Sequence, residues 1–151
     1  MIWLSFDTET TGIDAPRLVE LGAVLMEDER ERACVSLIVR PGDYDEIPEA
    51  AARVHGITTV TALACGVPLI VAISTLTNLW AVASVRVAHN LEFDDKVIAA
   101  AMASLGRTST LPRPPGVCTK ELAAPILNLP PTERMCAAGY DKPKPPSLRE
   151  A

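Results

Sequence analysis

Positive charge is scarce in this chain of 151 residues: 14 lysines and arginines face 19 aspartates and glutamates, for a formal net charge of −5. That balance excludes a protein that coats nucleic acid with a broad basic surface, because such binding neutralises many phosphates at once. It leaves room for an enzyme of nucleic acid whose metal ions supply the positive charge. Paired cysteines are also lacking. Cys34, Cys65, Cys118 and Cys136 form no C-x-x-C pair. The N-terminus opens directly on a strand pattern, with neither a basic region nor a cleavable apolar segment. Free thiols in a reducing, cytoplasmic setting are the expectation.

Charge of either sign is missing between Arg53 and Arg86. Gly66, Pro68, Ser74, Thr75, Thr77 and Asn78 interrupt that stretch, so no apolar run reaches the roughly 20 residues a bilayer requires. Leu69, Ile73, Leu76 and Trp80 recur at i, i+4, i+7 and i+11, the spacing of a buried amphipathic helix. No membrane partner is expected. With 48% hydrophobic residues, the chain has material for one domain with a real core, spanning residues 1–151.

The remaining elements read in order. Strand character runs through "IWLSFDTETTG", then "LVELGAVLME" and "ACVSLIVR", with charged "DERER" between the last two. Three strands on short connections predict an antiparallel meander. "PEAAARVHG" predicts a short helix closed by Gly56, and Thr58 caps a second that ends before Gly66. The uncharged helix, a short strand "SVRVA" and a helix within "HNLEFDDKVIAAAMASLG" follow, the last closed by Gly106. A Pro-rich connection, "TLPRPPGVCT", leads into another short strand. "KELAAPILNLP" is a helix interrupted by Pro125, and the tail is loop until Ser147 caps the start of a helix, with Glu150 three residues on. The fold class is therefore α/β: a mixed sheet, three antiparallel strands followed by parallel ones, flanked by helices.

The first strand raises a chemical question. Side chains alternate along a strand, so Asp7 and Glu9 emerge on one side, where two carboxylates repel unless solvated, protonated or bridged by a cation. Acids at a strand end are common turn residues, and Asp94 in the first turn of its helix also suits the helix dipole. Asp94, however, shares a face with Val97, Ile98 and Ala101, the core-facing side, whereas Asp95 points outward. Two strand-end acids and one inward-facing helix acid together suit hard divalent cations, which take oxygen ligands, and two-metal phosphoryl chemistry.

These residues carry a family resemblance. "FDTETTG", "RLVELGAV", "VHGIT" and "AHNLEFD", in that order, resemble the DEDD-type (DEDDh-like) 3′-to-5′ exonucleases, the group of polymerase proofreading subunits and ribonuclease T. The closing "CTKELAAPILNLPP…AAGYDKPKPPSLREA" is similar to bacteriophage members. The resemblance implies an RNase H-like fold and release of nucleoside monophosphates from a 3′ end. It implies two Mg2+ or Mn2+ ions on Asp7, Glu9 and Asp94, with Asp7 bridging them. Thr10, Thr11 and Gly12 would meet the terminal nucleotide, glycine permitting close backbone approach. Asn90 and Phe93 would line the same pocket, and His55 and Ile57 would sit by the terminal base or sugar, unless they form a helix-end packing cluster. The implied partner is a single-stranded or frayed 3′ end of DNA, or RNA, with a DNA polymerase as a possible associate, in a bacterial or phage-infected cell.

One part of the family pattern is missing. Its last motif is H-x-x-x-x-D on a C-terminal helix, supplying a general base and a fourth carboxylate. The chain has two histidines, His55 and His89, and no Asp or His after Asp141. "HNLEFD" has the right spacing, but Asp94 already serves as the second-motif acid and His89 stands at a strand end, so His89 reads as structural. The expectation is a domain incomplete at its C-terminus, with the last helix truncated and hydrolysis weakened. The alternative reading is a noncatalytic nucleic-acid-binding or polymerase-associated module. The Pro-rich pieces "LPRPP" and "KPKPP" read as stiff loops, and Arg113, Lys142 and Lys144 as scattered surface charge.

Overall fold

In a computed structural model of the protein, residues 1–42, 46–107, 113–147 and 149–150 are described. Five strands form one sheet in the order β3-β2-β1-β4-β5. β1 (Ile2–Thr10), β2 (Leu18–Glu27) and β3 (Arg30–Ile38) are the antiparallel meander, and β4 (Val85–Ala88) and β5 (Gly116–Cys118) add in parallel. The meander and the parallel extension were both legible as patterns. The charged "DERER" was not all connection: β3 begins at Arg30, leaving Asp28 and Glu29 as the turn, with Asp28 at φ 54°.

The helices are α1 (Glu49–His55), α2 (Thr59–Cys65), α3 (Leu69–Val82), α4 (Leu91–Ser104), α5 (Thr119–Leu127) and α6 (Glu133–Ala137). Gly56, at φ 80°, ends α1 in the left-handed conformation that glycine tolerates, and Thr58 Oγ1 caps α2 by accepting from Thr61 N. In α3, Ile73, Leu76 and Trp80 are buried as their spacing predicts. No helix among the described residues is long and apolar enough to cross a membrane. Pro125 does not break α5, which continues to Leu127 and closes at Asn128 in the left-handed region. α6 escaped the sequence reading, although Thr132, whose Oγ1 accepts from Met135 N, is an ordinary N-cap signal. At the tail, Ser147 N and Oγ both donate to Glu150 Oε2, half of a capping box, around a turn at 149–150. The "LPRPP" connection lies partly outside the described residues, as does Leu148 in the tail.

Along β1, Leu4, Phe6, Thr8 and Thr10 are buried, while Asp7 and Glu9 take the opposite face. The main core joins Leu4, Phe6 and Leu21 of the sheet to Ile73, Leu76 and Trp80 of α3 and to Val97, Ile98 and Met102 of α4. A smaller cluster of Val19, Ile47, Ile57 and Ala62 seats α2 against β2. Asp95 is a correction to the outward-pointing expectation. Arg86, itself buried on β4, makes a two-pronged pair with Asp95, donates from Nε to Pro114 O at 2.9 Å and lies over Trp80, 5.8 Å from the ring centroid. Arg113 approaches both Asp95, at 3.5 Å, and Trp80, at 5.4 Å, so it too is a structural cation.

Candidate active site

The ends of β1 and β4 build the site. β4 pairs with β1 only from Trp3↔Val85 to Ser5↔Val87, then gives way through His89 and Asn90 to α4. Beyond Ser5 the β1 backbone therefore meets α4 instead of a strand. Thr8 N donates to Asp94 Oδ1 at 3.0 Å and Thr8 Oγ1 donates to the same oxygen at 2.7 Å. On the other side of β1, Glu9 stands opposite Glu20 of β2, and the register slips between Glu9 and Thr10. Such bulges sharpen twist and re-aim side chains at strand ends.

The charge of Asp7 acts on each of the other two expected acids. Asp94 is 1% exposed. Burial pushes its pKa up to about 6, against the lowering effect of the Thr8 bonds, and the charge of Asp7 pushes the same way. Asp7 is raised by desolvation, with a further push from Glu20 and opposing effects from the Thr8 N–H and His89. Glu9 is raised by burial and then by Asp7, and lowered by His55. Each carboxylate thus holds its charge at a cost that a cation would relieve. All three donors are oxygens, which suits Mg2+ or Mn2+. They are not a closed cage, since no three acid, histidine or cysteine side chains among the described residues are drawn tightly enough together to hold a metal.

Glu20 is the residue that sequence reasoning missed. Its carboxylate accepts from Ser36 Oγ at 2.6 Å and adds to the field on Asp7 and Glu9. The signal was available: an antiparallel meander that pairs the end of β1 with the start of β2 sets "VEL" against "TET".

The expected nucleotide-contacting residues divide. Thr10 is buried and its Oγ1 donates to Gly12 O at 2.8 Å, while Thr11 closes the loop, its N–H donating to Arg17 O and its Oγ1 accepting from Arg17 N. Gly12, at φ 148°, has open space where a Cβ would stand. Its conformation needs glycine, and the space leaves its backbone approachable. His55 Nδ1 accepts from Ile57 N, so Nε2 carries the hydrogen; that atom is buried with no partner among the described residues. Ile57 is 6% exposed inside the smaller core cluster, the packing alternative. Phe93 packs on the main core, and Asn90 accepts from Lys120 Nζ. His89 is fully engaged: Nε2 donates to Pro146 O at 3.1 Å, and Nδ1 pairs with Thr119 Oγ1 at 3.0 Å. A cavity of about 600 Å3 beside the turn, lined by Leu18, Val39, Arg40, Leu69 and Lys96, shares Thr11 with the site but none of its acids.

Residues 4–139 match the model of the RNase_T family, described as Exonuclease. The chain belongs to this exonuclease family. No curated protein matches it. Among solved structures, E. coli exonuclease I in complex with a dA16 oligonucleotide shares 19% identity at a TM-score of 0.75, over 88% of this chain and 32% of that one. An exonuclease I in complex with the inhibitor BCBP gives the same identity and TM-score, over 88% and 33%. A product-bound exonuclease I shares 18% at a TM-score of 0.74, over 93% and 39%. The chain thus spans about a third of the length of these proteins, and the likeness is one of fold: the RNase H-like sheet with flanking helices.

Proposed function

We propose that this exonuclease-family domain hydrolyses the terminal phosphodiester bond at the 3′ end of single-stranded DNA and releases nucleoside monophosphates. The observation that carries the reading is the placement of Asp94 at the end of β1, where its Oδ1 accepts from both the backbone and the hydroxyl of Thr8, the residue between Asp7 and Glu9. In this reading Asp7, Glu9 and Asp94 would hold the Mg2+ or Mn2+ ions. Divalent cations there supply positive charge to the phosphate and the attacking water.

The chain's own groups do the rest. Thr8 pins one oxygen of Asp94, Oδ1, through both its backbone N–H and its hydroxyl. The backbone at Gly12 admits the terminal nucleotide, and His55 Nε2–H, a buried donor without an acceptor among the described residues, donates to one of its oxygens. Support for DNA comes from E. coli exonuclease I, whose structures include complexes with dA16 and dT13 oligonucleotides.

A second reading, a noncatalytic nucleic-acid-binding module, has one specific observation in its favour. Both ring nitrogens of His89 are occupied, and the only other histidine is His55. The deciding experiment digests 5′-labelled single-stranded DNA and its RNA twin in Mn2+, with Asp7→Ala alongside. A ladder shortening from the 3′ end, absent in Asp7→Ala, supports the nuclease. Oligonucleotide binding with no ladder supports the module.

A further inference from the structure

A cation held at the start of α4 has no carboxylate partner among the described residues. Lys120 is the second residue of α5, half-buried, and its backbone N–H donates to His89 O at 3.1 Å, which fixes it at the junction between β4 and α4. Its ammonium donates to Asn90 Oδ1. Asn90 is the N-cap residue of α4, one turn before Asp94, yet its side chain makes no capping bond to the helix. The structure therefore spends the natural cap of α4 on holding Lys120 in place.

Among the described residues no carboxylate pairs with that ammonium. Glu92 lies within reach of its charge but is bonded to Lys96, at 2.7 Å. An ammonium has three donors. Asn90 takes one, and a neutral amide does not neutralise the charge. A cation anchored on the N-cap residue that stands one helical turn before a metal-ligand candidate, in a chain of net charge −5, suits a phosphate of a bound strand.

We propose that Lys120 is a substrate-binding residue that contacts a backbone phosphate of the nucleic-acid strand, with Asn90 as its positioning partner. The inference rests on the exonuclease reading above. One released counterion per phosphate contact changes the salt slope of single-strand binding by about 0.7, or about fivefold in affinity at about 0.1 M salt.

The test is fluorescence anisotropy of a 5′-labelled dT oligonucleotide in Ca2+, from about 50 to 200 mM salt, with wild type, Lys120→Met, Lys120→Gln and Lys120→Arg. Lys120→Gln keeps a donor for Asn90, so a loss of slope there separates charge from local packing. Expected are a slope lower by about 0.7 in the Met and Gln variants, restoration in Lys120→Arg and an unchanged melting temperature. A wild-type slope in Lys120→Gln overturns the proposal while leaving the exonuclease reading intact. Failure of wild type to bind any oligonucleotide overturns both.

Discussion

Replacing Asp94 by asparagine should make the metal-free protein more stable at neutral pH, although it removes a candidate metal ligand. Asp94 is 1% exposed and burial carries its pKa from 3.8 to about 6, a displacement equivalent to about 3 kcal/mol. Between those values the folded chain binds more protons than the unfolded one, so stability falls as pH rises through about 4 to 6 and the loss is complete above. Asparagine is neutral throughout, and its Oδ1 still accepts from Thr8 N and Thr8 Oγ1. Its amide brings new donors into a buried place at a cost of about 1 to 3 kcal/mol, so the net gain at neutral pH is about 0 to 2 kcal/mol, while the pH slope is the sharper signature.

Urea unfolding of both proteins across that range measures it. The stability difference in favour of Asp94→Asn should shrink steadily as pH drops toward 4. With saturating Mn2+ the order should reverse, because a cation bound to the ionised wild-type carboxylate stabilises only that protein. A difference that is flat with pH, or an order that Mn2+ leaves unchanged, would refute the reasoning.

Other outcomes follow from single contacts. Thr8→Val, which removes the hydroxyl donor to Asp94 but keeps the backbone one, should raise the Asp94 pKa further and weaken Mn2+ binding, as read by calorimetry. Arg86→Met strips Asp95 of its two-pronged partner and leaves it Arg113 at 3.5 Å, so it should cost about 1 to 3 kcal/mol, a loss visible in thermal melting. Gly66→Ala should destabilise by about 1 to 3 kcal/mol or more, because a Cβ there would stand 2.3 Å from Ala62 O and 2.7 Å from Arg40 N. Leu76→Ala, which empties the middle of the main core, should cost about 2 to 5 kcal/mol with any nuclease activity of the folded fraction intact.

The same positions show how far a sequence can be read. The D-x-E strand end, the meander, the buried face of α3 and the caps at Gly56 and Thr58 are local patterns, and each took its expected place. Gly66 was legible as the end of α2, but for the wrong reason: at φ −70° its backbone suits any residue, and what demands glycine is the carbonyl of Ala62 and the backbone of Arg40 packed against it. Asp95 misled because helical periodicity assigns faces relative to the helix alone. Which strand lies beyond that face, and that it carries a buried arginine, is tertiary information. Pro125 likewise sits where the helix tolerates it, and only the backbone shows that. Glu20 was hidden because register is a property of two strands at once.

The site itself depends on a short strand. Had β4 followed β1 past Ser5, its backbone would have satisfied the edge of β1, and Thr8 would have had no need of a carboxylate. By stopping at Ala88 and turning through His89 and Asn90, the chain leaves that edge for α4. The first helical turn then delivers Asp94 to Thr8, beside Asp7 and on the far side of the strand from Glu9's neighbours on β2. The core residues Val97, Ile98 and Met102 fix α4 from behind, and the Arg86–Asp95 pair fixes it from the adjoining strand. An acid whose burial costs about 3 kcal/mol is therefore held charged at neutral pH by packing that does not depend on it. Conversely, relaxing that packing should let Asp94 withdraw toward solvent. Asp95→Asn, which loosens α4 without touching a candidate ligand, should bring the Asp94 pKa back toward 3.8 and weaken Mn2+ binding together. NMR titration of the Asp94 carboxyl carbon alongside calorimetry measures both, and a change in one without the other would show that the helix does not set the site.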